Sequence, residues 1–298
     1  MEATASVERQ HRRQRRVNPL LLKELRGRMR GARAFVVLTI YLLLMSCLVG
    51  LMYTALTINF QIENYGFDLV QVGRVVFIVV VLVEVLLVAF ITPAFTAGAI
   101  TGERERRTYE LLRSTLLPAR KIVFGKLTAA LTYMGLLVLA ALPLEALAFM
   151  LGGVVFSELV LAFLVLSVTV LSVSAAGFFF SALMRTTLAA TVLTYALVLL
   201  MSFVVPILAL VLSSIVSYSG FLSDLLEFGA YLVVSLSPIG AGLLTAIGLE
   251  ESGSLWLFDI GFSFRVPAAW LIYLGVHIPL ALGLLAFTVG YISRQEIK

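Results

Sequence analysis

Hydrophobic positions along the chain fall into long unbroken runs rather than into the alternating or 3.6-residue periods of soluble strands and helices. Six runs are long enough to cross a bilayer, which takes about 20 apolar residues as a helix. They cover residues 34–57, 75–99, 127–151, 159–183, 188–212 and 266–292. A further apolar stretch, 230–249, is broken by Ser237-Pro238, Gly240 and Gly242. It predicts a re-entrant pair of short helices bent at Pro238 and Gly240. Non-helical backbone at that depth has to be shielded by protein or line a wet cavity.

Two polar interruptions stand out. Residues 1–33 hold ten Arg and Lys. Within them Asn18 and Pro19 form a helix-start signal, with Asn as cap and Pro at the first helical position. Leu21, Leu22, Leu25 and Met29 then share one face, with Lys23, Glu24, Arg26 and Arg30 largely elsewhere. That pattern predicts an interfacial amphipathic helix over 18–33, its basic side toward anionic headgroups. The second interruption, 101–126, reads TGERERRTYELLRSTLLPARKIVFGK between two apolar runs.

Composition agrees with the runs: 61% of residues are hydrophobic and only 13% charged. Burying so much apolar surface in a soluble core would leave too little polar surface to face water, so the chain is expected to be an all-α membrane protein. The single cysteine, Cys47, excludes an intrachain disulfide, and two distant histidines offer no metal site. With six spans and a cytoplasmic N-terminus, 20 of the 22 Lys and Arg fall on the cytoplasmic side, leaving out only Arg74 and Arg265. The positive-inside rule therefore predicts both termini in the cytoplasm, and the plasma (inner) membrane is the expected location. The basic N-terminal run has no aromatic stacking set beside it, so no nucleic-acid partner is expected.

In the 101–126 stretch Thr101 is expected to cap a helix, with Glu103 and Glu105 in its first turn, where the macrodipole favours acid. Glu103, Arg106, Glu110 and Arg113 fall on one face; Glu103–Arg107 and Arg106–Glu110 are i,i+4 pairs. Tyr109, Leu112 and Leu116 take the other face, and Pro118 is expected to stop the helix. The prediction is a short amphipathic helix over 101–117, charged on one side.

The order of parts resembles the permease family of ABC-2-type exporters. That family's pattern between its second and third spans is matched here by Ile100, Glu103-Arg104-Glu105, Thr108, Glu110-Leu111-Leu112, Pro118 and Gly125-Lys126. The chain departs from it at Arg107, where the family often has Gly, and by a slightly late Pro118. Asn18-Pro19 with Lys23-Glu24-Leu25-Arg26 resembles the family's opening interfacial helix, and Ser237-Pro238 its outer re-entrant element.

The resemblance implies a single six-helix transmembrane domain over 34–298. It also implies a coupling helix that seats on a separate ATP-hydrolysing subunit, its docking residues being Glu103, Arg104, Glu105, Arg106, Thr108, Tyr109, Glu110, Leu112 and Arg113. ATP and Mg would then sit on that partner, since Gly125-Lys126 is followed by Leu127 and lacks a phosphate-binding glycine loop. A second permease chain, identical or similar, is the other implied partner beside the lipid bilayer.

Three ionisable residues lie within the spans: Glu84, Glu145 and His277. Such groups are costly in lipid and usually face a bundle interior or a wet cavity, which makes them candidates for a substrate path. An enzyme is disfavoured. Glu250-Glu251 suggests a membrane protease motif but has Leu255 where Arg is needed, and only His277 is available to activate a nucleophile. A secondary transporter should show matching broken helices in two halves, and only 230–249 is broken. A non-transporting anchor or assembly subunit is the remaining alternative.

Overall fold

The computed structural model describes residues 32–62, 69–108, 118–215, 221–259 and 265–296. The expected interfacial helix with Asn18, Pro19, Lys23, Glu24 and Arg26 lies outside the described residues, as do Tyr109, Glu110, Leu112 and Arg113. Each apolar run becomes a helix somewhat longer than the run, with its bounds shifted by a few residues. The spans are α1 (Ala32–Ile62), α2 (Leu69–Thr96), α4 (Ala119–Met150), α5 (Phe156–Leu183), α6 (Thr187–Leu199) continuing through a π segment (Leu200–Val204) into α7 (Val205–Ile215), and α10 (Ala269–Glu296). The short α3 (Thr101–Glu105) lies in the second interruption, and α8 (Phe221–Ser235) and α9 (Pro238–Ser252) form the broken pair. Among the described residues six helices are long and apolar enough to cross a membrane, or seven if the bent pair is one span.

α5 sits at the centre, packed against α2, α4, α6, α9 and α10. Over half of its apolar window is buried, 56%, against 11% for α1, which hangs on the outside of the bundle. Lipid tails are as apolar as leucine, so close approach rather than hydrophobic drive holds such helices together. Gly177 of α5 provides it: a Cβ there would run into the Thr96 side chain on α2. Ala175, Ala176 and Ala182 of the same helix are also buried.

Two local departures have clear causes. Pro206 has no N–H for the Ser202 carbonyl one turn back, and the helix widens into the π segment, with Val205 N–H reaching the Leu200 carbonyl. Ser237 Oγ then donates to the freed Ser202 carbonyl at 3.2 Å. The same hydroxyl is the N-cap of α9, accepting from Gly240 N–H at 3.2 Å. The bend between α8 and α9 is 117°, with Pro238 as the first residue of α9 rather than its hinge. At Gly240 a Cβ would strike the Val234 carbonyl across the bend. The bent pair expected over 230–249 is therefore present, longer at both ends.

The all-α expectation needs one addition: a two-residue antiparallel ladder, β1 (Leu257–Phe258) with β2 (Val266–Pro267). It closes the end of the bundle away from α3. Phe258 and Val266 are fully buried there, and Tyr231 donates to the Pro267 carbonyl at 2.7 Å.

Candidate functional site

The second interruption is bound into the bundle by three consecutive charged residues, each reaching a different helix. Glu103 Oε1 meets Lys126 Nζ of α4 at 3.1 Å. Arg104 Nη1 donates to the Ala182 and Met184 carbonyls, at 3.0 and 3.1 Å, at the C-terminus of α5. Glu105 Oε1 accepts from Thr187 N–H at 2.6 Å, and its Oε2 from the Thr187 hydroxyl at 2.8 Å, at the N-terminus of α6. The signs suit the helix ends: a cation on the last carbonyls of one span, an anion on the first amides of the next. The Glu-Arg-Glu run is a cap for two antiparallel spans and an ion pair to a third.

The start of α3 is also capped from a distance. Ser181 Oγ, fully buried on α5, accepts from Ile100 N–H at 2.9 Å and Thr101 N–H at 3.1 Å. Thr101 is therefore not the cap it was expected to be; its hydroxyl bonds back to the Ala97 carbonyl at 3.2 Å. The helix stops at Glu105 instead of continuing through 108, because Arg107 takes a left-handed conformation at φ 56°. The expected Glu103–Arg107 pair dissolves at that turn, and Glu103 binds Lys126 and the Thr108 hydroxyl instead. The position where the resemblance leads one to expect glycine is the one that needs positive φ.

Thus Glu103 and Arg104 face inward and Glu105 faces α6, while Arg106, Arg107 and Thr108 stand exposed at the tip. Pro118, expected to end the preceding helix, is the extended N-cap residue of α4, with φ −64° and ψ 144°. Lys126 is buried seven residues into that helix. Lys126 was foreseeable as the last member of the quoted pattern. Ser181 and Thr187 carry no sequence signal, being ordinary hydroxyls near the ends of apolar runs.

The three intramembrane candidates separate into two places. Glu84 of α2 and Glu145 of α4 are neighbours, 0% and 1% exposed. Tyr41 of α1, which sequence reasoning passed over, donates to Glu84 Oε1 at 3.2 Å. Glu84 Oε2 and both Glu145 oxygens make no hydrogen bond among the described residues. This cluster is sealed within α1, α2 and α4 and ties the loosely packed α1 to the bundle. His277 lies elsewhere, on α10, its ring stacked on Tyr273 at 4.1 Å and its Nδ1 3.1 Å from the Tyr273 carbonyl. It lines a crevice between α5, α6 and α10 with Ser172, Val198, Met201, Ser202 and Pro238. Of the three, only His277 borders open space.

Among the described residues no group of His, Cys, Asp and Glu is placed to hold a metal ion. Comparison with individual curated proteins finds no match. The family model described as ABC-2 family transporter protein matches residues 19–289, nearly the whole chain, tips and broken pair included. The chain is a multi-pass membrane protein that belongs to the ABC-2 transporter family.

Proposed function

We propose that the chain is the permease subunit of an ATP-binding cassette exporter in the plasma membrane, with both termini cytoplasmic, and that it works paired with a second permease chain. Residues 101–108 open the element that docks on a separate ATP-hydrolysing subunit. ATP and Mg belong to that partner: Gly125 lies inside a helix here and Lys126 is occupied by Glu103, so neither is free to cradle a phosphate.

The observation that carries this reading is the three-way attachment of Glu103, Arg104 and Glu105. A force applied at the tip is passed at once to α4, α5 and α6, because the loop cannot move without breaking charge-assisted bonds to each. The exposed Arg106 and Arg107 supply the outward-facing charge that selects and orients a partner. Glu103, Arg104 and Glu105 support that surface from behind. Of the intramembrane residues, His277 belongs to the substrate route, since its crevice is open, and the sealed Glu84–Glu145 pair keeps α1 in place.

Co-purification tests the reading. Wild-type chain expressed with its ATP-binding subunit should form a stable complex, and Arg106→Glu with Arg107→Glu should break it while the permease stays folded. A complex that survives this double charge reversal would refute the docking assignment.

A further inference from the structure

At the end of the bundle opposite α3, one guanidinium stands between two carboxylates from different helices. Arg74 of α2 is 3.8 Å from Glu158 of α5 and 3.5 Å from Glu250 of α9. It also donates to the Ala246 carbonyl at 3.4 Å. Beneath it runs a slot between α2, α5 and α9, walled by Phe77, Leu82, Leu161, Val165, Gly242 and Leu249. From Arg74 to Leu82 the wall is about 12 Å long, at 1.5 Å per residue.

Thr245 also lines this slot. It is 6% exposed, and its hydroxyl has no hydrogen-bond partner among the described residues. Elsewhere in the spans buried threonines satisfy themselves on the carbonyl four residues back, as Thr92, Thr169, Thr194 and Thr288 do. Thr245 forgoes that bond one residue from Ala246, just under the Arg74 side chain. An unsatisfied hydroxyl in apolar surroundings is costly, so a ligand acceptor there is favoured. A Cβ on Gly242 would meet only Leu82 Cδ2, at 3.8 Å, an ordinary contact, so a methyl group fits there while a larger side chain would fill the slot.

We propose that the slot binds one acyl chain of a phospholipid with a zwitterionic phosphate–ammonium headgroup. The phosphate sits on Arg74, the ammonium meets the exposed Glu250, and the ester carbonyl accepts from Thr245 Oγ. A mouth with one cation and two anions matches a headgroup carrying both signs, whereas an anionic lipid would add to a negative excess. The slot, about 12 Å long, takes only the headgroup-proximal part of the chain, and the rest runs on into the bilayer. No ATP-driven step is involved, so this proposal stands or falls separately from the transport reading.

The test uses the full-length chain in vesicles of phosphatidylethanolamine and phosphatidylglycerol, carrying a phosphatidylethanolamine with a photoreactive acyl chain. Adducts mapped by mass spectrometry should fall on residues 77–82 and 161–165. Gly242→Leu should abolish them, with Gly242→Ala retaining them as the folding control. Arg74→Gln should weaken labelling about tenfold, the loss expected for one charge-assisted hydrogen bond. Thr245→Val keeps the side-chain shape and reads the same ligand should the Arg74 variant not fold; it too should lower labelling. Slot labelling indifferent to Gly242→Leu, or unchanged in Thr245→Val, would overturn the proposal. Equal labelling by a phosphatidylglycerol analogue would overturn the zwitterionic headgroup.

Discussion

Ser181→Ala is the substitution that most directly probes how the charged loop is held. Ser181 Oγ is the acceptor for two backbone amides, Ile100 and Thr101, and is completely buried. Alanine leaves both donors in place with nothing to bind and no water to replace it. A single side-chain cap is worth about 1 kcal/mol and a buried orphan donor costs about 1–3 kcal/mol, so two stranded amides should cost about 2 kcal/mol locally. That amounts to roughly a thirtyfold rise in the population of the opened loop. Hydrogen–deuterium exchange of the peptide spanning 98–105 measures it directly, in detergent or nanodiscs. Ser174→Ala is the matched control: the same helix, two turns earlier, also fully buried, but with a hydroxyl that has no partner among the described residues. It should leave exchange unchanged or slow it. Equal exchange in Ser181→Ala and wild type, or an effect of the same size in Ser174→Ala, would refute the remote-cap reasoning.

Other substitutions follow from the same geometry. Arg107→Gly should stabilise the loop by up to about 1 kcal/mol, since a left-handed L-residue costs about 1–2 kcal/mol and glycine returns part of that as unfolded-chain entropy; Arg107→Ala should gain nothing, and a destabilised Gly variant in thermal unfolding would contradict the assignment. Ser237→Ala should cost about 1–2 kcal/mol by losing both the Ser202 carbonyl and the α9 cap. In a Pro206→Ala background the restored N–H can serve Ser202, so the cost of Ser237→Ala should fall by about 1 kcal/mol in a double-mutant cycle; strict additivity would count against it. Tyr41→Phe should destabilise by about 2 kcal/mol, because it removes the one hydrogen bond seen at the sealed Glu84 carboxyl and loosens α1. A melting temperature equal to wild type would show that the bond is not made in the membrane protein.

The number and position of the spans were legible because the bilayer demands long apolar runs, and the one further apolar stretch, 230–249, is broken by Ser237-Pro238 and two glycines. The bent pair was legible too, since Ser-Pro-x-Gly both caps a helix and permits close backbone approach. What pattern reading missed was three-dimensional bonding at the helix ends. A helical wheel of 101–117 assigns Glu103 and Arg107 to one pair, and local propensity alone supports it. Tertiary contacts override that pairing: Lys126, the Ala182 and Met184 carbonyls and the Thr187 amide all lie more than 20 residues away in sequence and offer buried or end-of-helix partners. The one local clue was Arg107, noted as a departure from a family glycine without its conformational meaning.

The intramembrane residues show the same limit. Position along a span gives depth but not azimuth, so Glu84, Glu145 and His277 looked equivalent, whereas two are sealed together and one borders a crevice. Arg74 seemed only a minor exception to the charge bias; it proves to join α2, α5 and α9.

The central claim is that the tip at Arg106–Thr108 meets a separate ATP-hydrolysing subunit. A photoreactive amino acid placed at Arg106 of the full-length chain, expressed with that subunit in cells, tests it in a single experiment. The account predicts an adduct between the permease and the ATP-binding subunit from Arg106, and none from the exposed Trp256 at the opposite end of the bundle. No adduct from Arg106, or an equal one from Trp256, would contradict it.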